Sequence, residues 1–246
     1  MEDQDGMATL APVRAAPIGA EDRFFGGMAL AMVAITFVGF APSYYFMRFT
    51  AAPALLPIVH LHGLVFTGWI LLHAGQTGLV VSRRIDLHRR IGVFGAVLAV
   101  AVVVLGFITA LVTAPLHGLP GHRAPPIIFP FMAVSTFGIL CAAGVAWRRK
   151  PQHHKRIMLL ATSALIITPG ARIGRMVGTE LPPPVFGMLL TDVLLAALVI
   201  FDVRTRGRLH PATIAAGGLF LATQPLRVAV SHWPAWQAFA ASIGAR

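Results

Sequence analysis

Apolar residues gather in seven runs of about 20, the length a helix needs to cross a hydrocarbon core. They lie near residues 24–46, 54–81, 91–112, 126–147, 157–177, 185–203 and 212–230. Every backbone polar group must be satisfied within the span, so runs of this length are read as helices. The pattern predicts an all-α fold, a polytopic transmembrane bundle of about seven helices. It divides the chain into an N-terminal tail (1–23), a seven-helix domain (24–230) and a C-terminal tail (231–246). Gln224, Pro225 and Arg227 interrupt the last run. In the tail, Trp233, Trp236 and Phe239 recur at spacing three, which suits a short helix lying in the membrane interface.

Charge adds an orientation. Cytoplasmic loops collect Lys and Arg, and 14 of the 20 fall in the N-terminal tail and the loops after runs two, four and six. This predicts a multi-pass protein of the bacterial inner membrane, N-terminus cytoplasmic and C-terminus periplasmic. Residues 1–23 carry Glu2, Asp3, Asp5, Glu21 and Asp22 with no basic segment before an apolar core, so the first run reads as a signal anchor. Met7 is an alternative start to Met1.

Composition excludes much else. Hydrophobic residues make up 57% and charged ones 12%, with mean hydropathy +0.76, where a soluble domain carries about 25% charged residues. The formal charge of +11 sits in short juxtamembrane loops, which points to anionic lipid headgroups rather than nucleic acid. The single Cys141 removes disulfides, CxxC pairs and covalent haem attachment. The two lysines, Lys150 and Lys155, read as loop residues, which excludes a retinal Schiff base. No P-loop, HExxH or GxSxG motif occurs.

The second run carries candidate chemistry. At 100° per residue His62, Trp69, His73 and Gln76 share one face, His62 and His73 stack about 16 Å apart, and His60 points elsewhere. Histidines within a span usually face protein or a water-filled cavity. They either bond polar groups on neighbouring helices or act as axial ligands of haem b or as proton relays. Runs three to seven hold no interior histidine to complete a haem. The other candidates sit at the rims: His88, His153, His154 and His210 at the basic end, His117 and His122 at the other. His88 and His153–His154 open helices, where headgroup contact competes with a rim shared with His73.

A second constellation lies in the opposite half. ITPGARIGR is expected to break its helix at Pro169–Gly170 and to present Arg172 and Arg175; ATQPLRV is expected to break at Pro225 and to present Arg227 beside Gln224. Run six adds Asp192. Matched broken helices point to ligand sites in transporters. The set suits a quinone headgroup or a small anionic solute, or else a packing ion pair with arginines snorkelling outward. Neighbouring arginines argue against a metal.

HLHGLVFTGWILLHAGQTGLV, then RRIDLHRRIG and PQHHKRIMLLAT, resemble an uncharacterised family of bacterial multi-pass, His-rich inner-membrane proteins. The likeness covers residues 24–175 and rests on His60, His62, Trp69, His73, Gln76, His88, Arg89, Gly92 and His154–Arg156. The chain is also loosely similar to cytochrome b561-type haem-b membrane proteins, though these place histidine pairs inside four helices and this chain inside one. The resemblance implies an integral membrane protein. Three functions follow: a membrane redox protein with haem b, a quinone or both; a small-solute permease using helices five and seven; or an accessory subunit of a membrane complex.

Overall fold

The computed structural model describes residues 18–50, 54–114 and 127–244. His117, His122, Arg14, Arg123, Arg246 and both candidate start residues, Met1 and Met7, lie outside them. The described chain is all-α, with no strand among the described residues. Its elements are α1 (Ala20–Phe40), prolonged by a π-turn over Ala41–Tyr45, α2 (Pro57–Val81), α3 (Ile85–Thr113), α4 (Ile128–Ala146), α5 (Pro151–Leu165), α6 (Ile167–Met176), α7 (Pro183–Arg206), α8 (Pro211–Ser231) and α9 (Pro234–Gly244). Six helices are long and apolar enough to cross a membrane, or seven if α5 and α6, bent by 44° at their junction, count as one span. Proline stands in the first turn of α2, α5, α7 and α8, where its missing N–H has no helical partner to lose.

Helix α5 is the core of the bundle. Nine consecutive and near-consecutive side chains from Arg156 to Leu165 are buried, packed among α1, α4, α7 and α8. From α2, Trp69 reaches in to donate its indole N–H to Thr162 Oγ1 at 3.3 Å and meets Phe137 edge-on. By contrast α3 leaves Val93, Val97 and Val100 exposed along its length, as suits a helix facing lipid.

Two expectations about proline need correction. The break in the fifth span falls at Ile166, between α5 and α6, not at Pro169–Gly170. Pro169 gives no hydrogen bond to the carbonyl four residues earlier and its ring crowds it, so the distortion appears one turn upstream. Pro225, in turn, lies inside an unbroken α8, so the matched second break does not exist. Close backbone packing holds the bent span: a Cβ on Gly39 of α1 would lie 2.5 Å from the Pro169 carbonyl, and one on Gly187 of α7 would collide with that of Ile167.

The loops after α2, α4 and α7 gather with the start of α1 at one end, here called the basic end. Arg83 pairs with Asp22 at 2.8 Å and Lys155 with Glu21 at 2.6 Å. Lys155 is thus a helical residue of α5 rather than a loop residue. At the other end α9 buries Ala240 against Ala114 and Ile127, and Trp236 packs edge-on to Phe131.

Candidate functional site

At the basic end the helix starts decide which histidines meet. His88 and His154 each stand three residues inside their helices, one turn below the rim. His73 lies about 12 Å from the end of α2. His88 and His154 meet, with ring centroids 6.2 Å apart and nearly perpendicular, and His154 is within electrostatic reach of His73. The ring of His73 makes no hydrogen bond among the described residues.

Hydrogen bonds to backbone carbonyls set the two outer rings in the same tautomer. His154 Nδ1 donates to the Gly144 carbonyl at 2.8 Å, which leaves Nε2 as a lone-pair acceptor or ligand. His88 Nδ1 donates likewise to the Gln76 carbonyl of α2 at 3.3 Å. Tautomer follows from the bond the other nitrogen makes, so both imidazoles keep a free Nε2 lone pair. Among the described residues no group of three or more His, Cys, Asp or Glu is disposed to hold a metal ion.

Beside it lies a fully buried ion pair that charge patterning hides. Arg156, counted in the sequence among the loop cations, is 0% exposed, as is Asp202. Arg156 Nε and Nη2 donate to Asp202 Oδ1 at 2.9 and 2.6 Å, and Nη1 donates to Gln152 Oε1 at 2.7 Å. Asp202 Oδ2 accepts from Thr213 Oγ1 at 2.5 Å and from His210 N at 3.1 Å. The pair ties α5 to α7 and α8. Asp202, which the sequence reading passed over, is an Asp inside an apolar run close to its basic end. That position is the available signal, because a carboxylate there needs a cation from another helix. His153 is occupied structurally as well, stacked on Trp147 and edge-on to His210. Burial, then the neighbouring Arg156 charge, holds the His210 imidazole down to about 4.

The opposite half divides into two groups. In the first, His62 stacks on Phe66 at 3.9 Å beside the Leu105 carbonyl of α3, within electrostatic reach of Arg172. Arg172 donates from Nη1 to Ser43 Oγ at 2.9 Å and lies over the Phe40 ring. His62 Nδ1 and Arg172 Nε are buried with no hydrogen-bond partner. In the second, Asp192 accepts from Gln224 Nε2 at 2.5 Å, and Arg227, 2% exposed, reaches Thr223 Oγ1 at 3.4 Å with its Nε unpartnered. Asp192 and Arg227 interact across space without a salt bridge. Arg175 is exposed, as is His60, whose carbonyl accepts from Tyr44 Oη at 3.1 Å.

No family model, curated protein or solved structure matches the chain.

Proposed function

We propose that the chain is an integral membrane redox protein whose working centre is the basic-end cluster of His73, His88 and His154. The observation that carries this reading is that His88 and His154, with rings 6.2 Å apart, each tie Nδ1 to a carbonyl and leave Nε2 free, while the ring of His73 makes no hydrogen bond among the described residues. A histidine that holds haem iron would offer an imidazole lone pair while its other nitrogen donates to a carbonyl; His88 and His154 meet that condition, and His73 is free to. We assign His73, with His88 or His154, as the residues that would hold haem b, which supplies one-electron transfer when bound.

The test is the haem content of the detergent-purified protein, measured as the pyridine haemochrome in wild type and in His73→Ala, His88→Ala and His154→Ala. Loss in His73→Ala and in one of the other two variants is expected. Equal content in all four, or none in wild type, overturns the assignment. On the same reading His62, Arg172, Asp192, Gln224 and Arg227 serve a second ligand in the opposite half, a quinone headgroup or a small anion. A solute permease is the second reading, favoured by the 44° bend between α5 and α6. It expects substrate-dependent uptake in proteoliposomes and a colourless protein. The placement in a bacterial inner membrane, with anionic lipids at the basic end, belongs to this proposal and rests on the basic loops gathered there.

A further inference from the structure

Arg172 differs from the other arginine buried beside a polar group on a neighbouring helix in one respect. Arg156 turns its Nε–Nη2 edge onto a carboxylate oxygen, Asp202 Oδ1. Arg172 uses Nη1 on Ser43 and leaves the same Nε–Nη2 edge without an acceptor among the described residues, its Nε fully buried. A guanidinium does not deprotonate in a protein, so its charge persists. Among the described residues no Asp or Glu lies within ion-pair distance of it, and the neighbouring Arg175 adds charge of the same sign. His62, whose ring meets the Leu105 carbonyl, lies within electrostatic reach of the same guanidinium.

A charged guanidinium edge with a buried, unmatched Nε–H calls for a ligand that brings acceptor oxygens. The persistent charge selects an anion over a neutral quinone carbonyl, because a neutral acceptor leaves a cation uncompensated within the bundle. The flat Nε–Nη2 edge matches the two oxygens of a carboxylate. The Phe40 and Phe66 rings that flank Arg172 and His62 suit an apolar body behind it.

We infer that Arg172 binds the carboxylate group of a small amphiphilic acid, with Ser43 holding the guanidinium in place. This deepens the reading of the opposite half as a ligand site and is independent of haem. A colourless protein that binds the acid would sink the redox assignment and keep this one.

The experiment is equilibrium binding of radiolabelled decanoate to the purified protein in nanodiscs of uncharged lipid. Competitors are acetate, benzoate and decanol. Saturable binding is expected, weakened at least tenfold in Arg172→Gln and in Arg172→Lys, which keeps charge but loses the planar edge. The exposed Arg175→Gln should match wild type. Each variant is first checked for an unchanged elution volume and melting temperature. Competition by acetate or benzoate assigns the site to water-soluble carboxylates; failure of both to compete assigns it to membrane-borne acids. Competition by decanol equal to that by unlabelled decanoate, or binding unchanged in Arg172→Gln and Arg172→Lys, overturns the inference.

Discussion

Asp202 holds more of the basic end together than any other single side chain, because its two oxygens serve Arg156, Thr213 and the His210 N–H at once. Removing one partner of a buried pair leaves an uncompensated charge and costs about 3–5 kcal/mol. Asp202→Asn and Arg156→Met should each lower the melting temperature strongly in detergent, and the double variant should lose less than the sum of the two. Additive losses would show the pair is not coupled. His210 adds a pH dependence. Its Nδ1 accepts from Ala212 N at 3.0 Å and caps α8, and its folded pKa of about 4 lies below the ordinary 6.5. As the pH falls between those values, the unfolded chain takes up a proton that the folded chain refuses. Stability is therefore full above about pH 6.5 and declines towards pH 4. His210→Asn keeps a capping side chain and should flatten the change in melting temperature over that window. An undiminished slope would place its origin elsewhere.

The elements show what hydropathy resolves and what it misses. All seven runs became helices or, for the fifth, a bent pair, because length and apolar content decide a span locally. The starts at the basic end moved outward: α3 begins at Ile85 and α5 at Pro151, so His88, His154, Lys155 and Arg156 are helical. A count that begins with apolar residues starts late wherever polar side chains turn inward. The meeting of His88 and His154, within reach of His73, was visible only as a shared rim, and the bonds through Gln76 and Gly144 were not, since they depend on how α2, α3, α4 and α5 cross. Proline marked the bend in the fifth span one turn from its place and misled in α8. Helix contact through glycine gives a direct test. Gly39→Leu and Gly187→Leu should abolish monodisperse elution, because each places a side chain on a neighbouring backbone. Gly75→Leu, with nothing within 4 Å of its Cβ position, should elute as wild type. Equal behaviour of all three would contradict the packing of α6 against α1 and α7.

At the scale of the whole molecule, counting α5 and α6 as one span gives seven, and the proposed orientation then puts the gathered basic loops in the cytoplasm and the far end of the bundle outside it. Alkaline phosphatase fused after α9 should be active and green fluorescent protein there dark; the reverse pattern would invert the orientation. The two polar regions then occupy different halves, one built from imidazoles and the other from unmatched guanidiniums. The central claim is that the first of these holds a redox group. A reduced-minus-oxidised absorption spectrum of the purified protein tests it most directly. The account expects a b-type spectrum that disappears in His73→Ala. A featureless spectrum in wild type, or one that His73→Ala leaves intact, would contradict it.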